Sequence, residues 1–405
     1  MQTTNKARYA NIIPMEDLNT IEKKLDPFPI FAQLRGTTPV RYDENRKCWD
    51  VFRYEDAHQV LKDPATFSSK RGGEENESLL MMDPPRHTQM RALVSKAFTP
   101  KVIADLAPRI QSITDELLDA VQSDGKMDMV HDLAVPLPVI VIAELLGVPT
   151  KDRKLFKDWS DILVKGPAKN TEELFVQVMA ERTQARQELD AYFAEIMKLR
   201  RQEPQDDLIS LLLSADIEGE KLDDKEIIIF SILLLAAGNE TTTNLITNAV
   251  RRLTEDQSLQ QTLHEQPALV PGFIEEVLRY YPPVQAIGRI TTKDVQIGDV
   301  PIQAGEQVIS WVASANRDEA KFPDPDTFIV DRKPNAHLAF GFGIHFCLGA
   351  PLARLEGQIA IQAIARRLQH IRFVEGTPLT PIPSPFVYGV KEFPVTFEIS
   401  NRKKP

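Results

Sequence analysis

Cys347 lies in a segment whose residue types suit a thiolate that binds a metal ion from a loop. The segment runs from Phe340 to Gly349 and reads FGFGIHFCLG. Its glycines let the backbone approach a flat cofactor closely and adopt dihedral angles that other residues avoid. A helical pattern from Ala350 to Leu368 follows directly, and the positive end of such a helix favours an ionised cysteine. Taken alone, the segment could also be a turn around a buried structural cysteine.

An acid and an alcohol stand side by side in a long apolar helical pattern, which Asp223 would cap and which continues to about Glu255. The stretch from Ala236 to Thr242 reads AAGNETT, and glycine, asparagine and threonine are poor helix formers. Thr241 can bond back to a carbonyl of the preceding turn and kink the helix. Together with Glu240 it predicts a pair that moves protons where bulk water is excluded. A kinked core helix without chemistry is the alternative.

Two further pairs of charged residues have helical spacing. Glu276 and Arg279 stand at i and i+3 on one predicted helical face, where they can form an ion pair or simply face solvent. His87 and Arg91 stand at i and i+4, in a helix that Pro84-Pro85 would start. Two cationic donors on one face suit an anion that needs charge-assisted hydrogen bonds.

These four segments together resemble the motifs of the cytochrome P-450 monooxygenases. The Cys347 segment matches the haem-binding loop FxxGxxxCxG, and residues 237–241 match [AG]GxxT with an acid before the threonine. The other two segments match ExxR, from Glu276, and DPPxHxxxR, from Asp83. The resemblance extends over nearly the whole chain. It implies a mainly α fold with a small β region, and a single cytochrome P-450 domain over residues 1–405 without a fused reductase or ferredoxin module.

The resemblance assigns a role to each of these residues. Cys347 becomes the metal ligand, on the iron of haem b, and Glu240 and Thr241 become the catalytic pair. Further haem contacts are implied for His87, Arg91, Ala237, Arg289, Phe340, His345 and Gly349. A structural role is implied for Glu276, Arg279 and Arg332. An apolar substrate pocket is implied at Leu80, Met82, Val164, Leu233, Ala237, Val284, Ile287 and Phe386.

The reaction that the resemblance implies is the hydroxylation of an unactivated C–H bond with O2 and two electrons. The apolar pocket predicts a neutral lipophilic substrate, and similarity to soluble Bacillus-type members points to a steroid-like, terpenoid or fatty-acid scaffold. A separate ferredoxin or flavodoxin with its reductase would supply the electrons, docking on a cationic face that includes Lys96 and Arg354.

Two other functions use the same fold. A peroxide-driven peroxygenase, or a haem-thiolate enzyme that rearranges its substrate, generally lacks the acid–threonine pair that Glu240 and Thr241 form here. A haem-based ligand sensor would not be an enzyme and would not need Thr241. The pair favours the monooxygenase over both.

Composition predicts an ordinary soluble protein. The chain has 405 residues, of which 42% are hydrophobic and 26% charged, and a net charge of −10 that argues against nucleic acid as a partner. Its two cysteines are too few for a disulfide framework, which indicates a reducing, cytoplasmic location. The N-terminus has no apolar signal segment. The most apolar run, 227–238, is shorter than the roughly 20 residues of a membrane span, so no span is expected.

The rest of the chain alternates between strand and helix patterns. Strands are predicted over 41–52 and in a small sheet over 284–312, and a short helix over 54–62. Helices are predicted from Pro100 to about Arg201. Breaks in this series are expected at Pro136, Pro138, Pro149 and Gly166-Pro167. The sequence does not determine whether residues 68–82 and 160–185 are open or closed over the pocket.

Overall fold

The computed structural model describes residues 14–71, 78–164, 171–216, 219 and 221–399. In this part of the chain fifteen α-helices and ten short strands are present. The helices are α1 (Ile21–Leu25), α2 (Phe28–Thr37), α3 (Tyr54–Lys62), α4 (Arg86–Ser95), α5 (Pro100–Asp105), α6 (Ala107–Val121), α7 (Pro136–Leu145), α8 (Arg153–Val164), α9 (Glu172–Gln202), α10 (Leu208–Ser214), α11 (Asp224–Glu255), α12 (Gln257–Glu265), α13 (Val270–Tyr280), α14 (Val312–Ala315) and α15 (Ala350–Arg367). The strands are β1 (Val40–Asp43), β2 (Cys48–Val51), β3 (Phe67–Ser68), β4 (Lys126–Asp128), β5 (Ile287–Thr291), β6 (Val295–Ile297), β7 (Val300–Ile302), β8 (Gln307–Ser310), β9 (Leu368–Phe373) and β10 (Pro394–Ile399).

The long helix α11 begins with a capping box. The Asp223 carboxylate accepts from the Glu226 N–H at 2.8 Å, and the Glu226 carboxylate accepts from the Asp223 N–H at 3.0 Å. These bonds satisfy N–H groups that would otherwise be unpaired near the start of the helix. Glu226 also forms an ion pair with Arg86, which ties α11 to the start of α4. The predicted cap and extent of this helix are confirmed.

Helix α11 contributes to both of the largest hydrophobic cores. Ile227 and Phe230 pack into a core with residues of α4 to α10, whereas Leu245 and Val250 pack into a second core with α13, α15, β9 and β10. A helix that is apolar on several faces is expected at the centre of a large domain. It is also the one helix of the described residues that is long and apolar enough to cross a membrane, but 61% of that window is buried inside the protein. It is therefore a core helix.

The largest of the three sheets places β3 beside β5, two segments that border the site. Its five strands lie in the order β1-β2-β8-β5-β3. Strands β3 and β5 are antiparallel, with Ser68 opposite Ile290, and β5 and β8 are antiparallel, with Gly288 opposite Ile309. A three-stranded sheet, β4-β10-β9, and the hairpin β6-β7 complete the β region. The chain that follows β3 consequently runs along the first residues of β5.

Most of the predicted elements are present. Strands over 41–52 are confirmed as β1 and β2, the helix over 54–62 as α3, and the sheet over 284–312 as β5 to β8. The expected break at Pro136 lies at the start of α7, but Pro138 lies inside its first turn, where no N–H donor is required. The break at Pro149 separates α7 from α8. Gly166-Pro167 lies outside the described residues, as do parts of 68–82 and 160–185.

Candidate active site

Backbone hydrogen bonds shape the Cys347 loop. The Cys347 N–H donates to the Phe340 carbonyl at 2.9 Å, which closes the loop. Gly341 and Gly343 have φ angles of 69° and 70°, in the left-handed region that favours glycine. A Cβ on Gly343 would also lie 2.8 Å from the Leu61 carbonyl oxygen. Both glycines are therefore required by the geometry that presents the sulfur.

The surroundings of the Cys347 thiol oppose its ionisation. Burial raises the pKa of the thiol, and this effect prevails. Backbone hydrogen bonds from Gly349 and Ala350, and the positive charge of Arg91, act in the opposite direction. The helix end that we expected to ionise the sulfur is thus insufficient by itself. Because a coordinated metal ion removes the thiol proton outright, the loop suits a thiolate that forms when metal binds.

The Thr241 hydroxyl donates to the carbonyl of Ala237, one turn earlier in α11, at 2.7 Å. This is the back-bond that the sequence predicted. Ala237 is exposed although most of α11 is buried, so open space lies against this turn of the helix. A Cβ on Gly349 would likewise meet no atom within 4 Å. Both positions have room for a bound group.

Glu240 is a carboxyl group that titrates near neutral pH. Burial raises its pKa to about 7, Asp161 adds to the rise, and the Arg182 guanidinium opposes it. An acid with this pKa can both release and take up a proton at the working pH. Arg182 lies on α9 and was not among the predicted site residues. The sequence around Arg182 does not distinguish it as a site residue, because α9 carries several other arginines.

Three of the predicted haem contacts converge with Arg71 into a group that we call the cationic cluster: His87, His345, Arg289 and Arg71. The rings of His87 and His345 are 4.2 Å apart, and His87 Nε2 is buried without a hydrogen-bond partner. Burial, together with the charge of Arg71, lowers the pKa of Arg289 to about 9. Burial and the neighbouring cations also lower the pKa of His345 to about 3. Burial also lowers the pKa of His87, so the charge of the cluster at neutral pH is that of its two arginines. A bound anion would relieve the repulsion between them.

His345 and Arg91 also contact the protein itself. The His345 ring is hydrogen-bonded through Nε2 to the Ser69 hydroxyl at 2.9 Å. Arg91 Nη2 donates to the Phe346 carbonyl at 2.7 Å, next to the cysteine. The histidine therefore braces the segment after β3, and the arginine braces the cysteine loop. Their roles toward a haem remain predictions.

Glu276 is the centre of a buried ion cluster. Arg279 donates to its two carboxylate oxygens, from Nε at 2.8 Å and from Nη2 at 2.7 Å, and both side chains are fully buried. Arg332 donates from Nε to the same carboxylate at 3.1 Å. Both arginines also donate to the Thr327 carbonyl. The three residues that the sequence singled out for a structural role are thus in contact, and they join α13 to the segment before the haem loop.

Arg354, which we expected on a docking face for an electron donor, already has a partner. Its Nε and Nη2 donate to Glu275 at 2.7 and 2.9 Å, and its guanidinium lies 4.6 Å from the centre of the Phe340 ring. Lys96 donates to the Asp216 carbonyl at 2.8 Å. Because Phe340 in turn accepts from the Cys347 N–H, Arg354 supports the cysteine loop rather than providing a free surface charge.

Some of the predicted pocket residues lie close to the cysteine loop. Ile287 Cδ1 lies 3.7 Å from the position that a Cβ on Gly341 would occupy. Val284 forms an isolated bridge to the chain after Phe386, and the Gln285 N–H donates to the Phe386 carbonyl at 2.8 Å. The fold therefore places Ile287 beside the loop and brings the segment before β5 together with the C-terminal turn.

The other predicted pocket residues differ in exposure. Met82 is buried in the core that also includes much of α11, and Leu233 packs against that core. Ala237 borders the open turn of α11, and Leu80 is 45% exposed. Val164 ends α8, and its side chain is outside the described part. The role of all these residues toward a substrate remains a prediction.

Glu356 is a buried carboxyl group that the sequence analysis did not single out. It lies on α15, nine residues after Cys347, and is 1% exposed. Burial raises its pKa to about 8, and its Oε2 has no hydrogen-bond partner. Its position on the buried face of α15, four residues from both Leu352 and Ala360, is the signal that could have identified it.

We expect Glu356→Gln to remove a loss of stability that the wild type shows as the pH rises from about 4.5 to about 8. Between the ordinary glutamate pKa and about 8, the folded protein keeps a proton on Glu356 that the unfolded chain has released. The free energy of unfolding therefore falls as the pH rises through this window, by an amount on the order of 5 kcal/mol, and levels off above it. Urea unfolding midpoints from pH 5 to 9 check this: the wild type should decline more than the variant, and parallel curves would contradict the assignment.

Comparison with known proteins decides the family. The family described as Cytochrome P450 matches residues 29–397. The chain is a cytochrome P450. This P450 is 52% identical to cytochrome P450 109 of Bacillus spizizenii over 395 residues, 97% of each chain. It is 47% identical to CYP109E1 of Bacillus megaterium in its crystal structure with testosterone, with a TM-score of 0.89 over 93% of this chain and 99% of that one. It is 41% identical to the erythromycin C-12 hydroxylase of Saccharopolyspora erythraea, over 91% of this chain and 94% of the relative.

The comparisons confirm the fold, the cofactor and the class of enzyme that the sequence predicted. This P450 has the mainly α fold with a small β region, and it belongs to a family of monooxygenases that bind haem b. The residues of this chain fit that group. A cysteine lies in a glycine loop, a buried histidine nitrogen lacks a partner among the described residues, two arginines lie close together, and open space lies at Ala237.

Proposed function

We propose that this P450 hydroxylates an unactivated C–H bond of a lipophilic substrate, which is steroid-like, terpenoid or a fatty acid. The observation that carries the proposal is the acid–alcohol pair, Glu240 and Thr241, beside an open turn of α11. Apolar side chains, among them Leu233 and Ile287, are expected to border this space. The structure of a relative with 47% identity bound to testosterone supports the steroid-like class.

The polypeptide holds the cofactor and positions it. When bound, the haem supplies the activation of O2 and the oxidation of the C–H bond. We infer that Cys347 Sγ ligates its iron. His87, Arg91 and Arg289 would donate to the propionates, because they offer two guanidinium groups and a buried ring nitrogen without a partner at one edge of the site. Arg354 keeps Phe340, and with it the Cys347 N–H, in place.

The second contribution of the chain is the delivery of protons. Glu240 would carry a proton on its carboxyl oxygen, and Arg182 would moderate the pKa of this acid. The Thr241 hydroxyl would relay the proton by accepting it on its oxygen while giving up its own hydrogen, which it can do only when its bond to the Ala237 carbonyl is released. The Thr241 hydroxyl donates its hydrogen to the Ala237 carbonyl, so the lone pairs of its oxygen are available as acceptors. This pair favours O2 over a peroxide as the oxidant, and an enzyme over a ligand sensor.

Electrons would come from a separate ferredoxin or flavodoxin with its reductase, in the cytoplasm. A depression of 280 Å³ lies between α5 and α15, on the helix that follows Cys347. Its lining residues are mainly apolar or small: Pro100, Ile103, Ala104, Pro351, Arg354, Leu355 and Gln358. We infer that the donor docks here through apolar contact.

Titration of the ferric protein with a panel of lipids tests the proposed substrate class. We expect testosterone, or another neutral steroid, to convert the haem from low to high spin, because a substrate that fills the pocket displaces water from the iron. A monoterpene, a long-chain fatty acid with its methyl ester, and an erythromycin-type macrolide complete the panel. A spin shift with the macrolide alone would contradict the proposal.

A further inference from the structure

Asn239 and Ser160 join α8 to α11 by a buried hydrogen bond. Asn239 Nδ2 donates to the Ser160 hydroxyl oxygen at 2.9 Å, and the two residues are 3% and 1% exposed. The Ser160 hydroxyl in turn donates to the Leu235 carbonyl at 3.4 Å, which is a longer and weaker bond. One hydroxyl group of α8 therefore contacts both ends of the α11 turn from Leu235 to Asn239. We call these two hydrogen bonds the Ser160 clamp.

The Ser160 clamp lies directly before the acid–alcohol pair. Asn239 is the residue that precedes Glu240, and asparagine is a poor helix former. Side chains also bond to carbonyl groups in the turns around it, since Ala237 accepts from Thr241 and Glu240 accepts from Asn244, each at 2.7 Å. The asparagine of this stretch thus has a use that the acid–alcohol pair does not explain, which is its contact with α8.

Helix α8 also brings a charge to Glu240. Burial is the largest cause of the raised pKa of Glu240, and Asp161, the residue after Ser160, raises this pKa further. Arg182 of α9 acts in the opposite direction. Asp161 also forms an ion pair with Lys157 of its own helix at 2.6 Å. The packing of α8 therefore sets part of the environment in which the acid titrates.

The other helices beside this turn make contacts of a different kind. Helix α7 presents an apolar side chain, because a Cβ on Gly238 would lie 3.1 Å from Ile142 Cδ1. Helix α9 is tied to α8 rather than to this turn by the Trp159 indole, whose Nε1 donates to Glu188 at 2.7 Å. We therefore expect α9, and with it Arg182, to follow α8 when α8 shifts.

We propose that Asn239 and Ser160 are positioning residues of the proton pair, and that their clamp holds α8 against the turn of α11 that carries Glu240. Without the clamp, we expect α8 to move away from this turn and water to reach the carboxyl group. Loss of burial and withdrawal of Asp161 both lower the pKa of Glu240, whereas withdrawal of Arg182 raises it. Because burial is the largest cause, the net change is a fall. The inference rests on the proposed function and adds the residues that keep its acid protonated near neutral pH.

Infrared titration of the haem-loaded protein measures the protonation of Glu240 whether or not this acid delivers protons. A protonated carboxyl group has its own C=O stretch, and subtracting the spectrum of the matching Glu240→Gln protein isolates the band of this residue. In Ser160→Ala and in Asn239→Leu the midpoint of the band should fall by about half a pH unit or more. Asp161→Asn should shift the midpoint in the same direction, because it removes a negative charge that favours the protonated acid.

Thr243→Val is the matched control for the loss of a buried hydrogen bond. The Thr243 hydroxyl donates to the Ala134 carbonyl at 2.9 Å, so this variant also removes a bond between α11 and a neighbouring segment. Its infrared midpoint should remain that of the wild type. A midpoint unchanged in both Ser160→Ala and Asn239→Leu would overturn the proposal, and so would an equal shift in Thr243→Val.

The product yield per electron separates the failure of this proposal from that of the proposed function. At pH 7 the yield of Ser160→Ala should fall by about twofold or more, because a smaller fraction of Glu240 is protonated. A shifted infrared midpoint with an unchanged yield would support the clamp and remove Glu240 from the proton path. An unchanged midpoint in the clamp variants, with a yield that still depends on Glu240, would overturn the clamp alone.

Discussion

Replacing Glu276 by alanine is expected to cost about 3–5 kcal/mol of folding free energy, because it leaves two arginines buried without their counter-charge. Arg279 is fully buried, and the Arg332 side chain is 5% exposed, so neither can recover its charge partner from water. This cost is a large part of the roughly 5–15 kcal/mol that stabilises a typical folded protein. Urea unfolding of the haem-loaded protein, followed by tryptophan fluorescence and the Soret band, measures it.

A surface ion pair provides the control for Glu276→Ala. Asp158 pairs with Lys154 at 2.9 Å one turn earlier in α8, and both side chains are at least half exposed. Asp158→Ala should therefore change the stability by less than about 1 kcal/mol. If Glu276→Ala proves too unstable to purify, Arg332→Ala removes one arginine while Arg279 remains paired, and its loss should be intermediate. Equal unfolding midpoints for Glu276→Ala and Asp158→Ala would show that the cluster does not hold the fold.

Thr241→Ala is expected to uncouple electron use from hydroxylation. The variant loses the oxygen that receives protons from Glu240, so the yield of hydroxylated product per electron should fall by roughly tenfold or more. Electron consumption is expected to continue and to produce peroxide. Thr247→Ala is the matched control, because Thr247 makes the same kind of back-bond, to the Thr243 carbonyl at 2.9 Å, two turns further along α11. If the product yield per electron stays high in Thr241→Ala, Thr241 does not relay protons.

Glu240→Gln tests the acid half of the pair through its pH dependence. Because the pKa of Glu240 is about 7, the neutral acid predominates below pH 7 and becomes scarcer above it. Product yield per electron in the wild type should therefore fall as the pH rises through 7, by up to about tenfold for each further pH unit. The glutamine variant has no such group, and its low yield should be independent of pH in this range. A variant with the wild-type profile would mean that another group sets it.

The parts of the site that could be predicted from the sequence are those set by local spacing. The loop geometry around Cys347 follows from two glycines with positive φ, and their positions are visible in the sequence itself. The cap of α11 at Asp223 and the back-bond of Thr241 depend only on residues within one turn. The contact of Glu276 with Arg279 is also local, at i and i+3. The structural role of this pair and the participation of Arg332 were given by the family motif, because the contact of Arg332 spans the chain between α13 and the cysteine loop.

The parts that could not be predicted depend on tertiary burial. Arg71 and Arg182 stand among other charged residues, and nothing local shows that partial burial in the fold lowers the pKa of both. Arg354 was expected to be a surface charge, because its partner Glu275 lies on another helix. Strand β4 was missed, because its three residues pair only with β10 at the far end of the chain. In each case the deciding neighbour is distant in sequence.

The central claim is that Cys347 binds haem iron as a thiolate, and the difference spectrum of the reduced protein with carbon monoxide tests it most directly. We predict the strongly red-shifted Soret band for which the P450 family is named, and its loss in Cys347→Ser under the same conditions. Cys48 is the other cysteine of the chain, and burial strongly raises its thiol pKa, so Cys48→Ser should retain the band. A Soret band at the position of histidine-ligated haem in freshly prepared, undenatured wild-type protein would contradict the account.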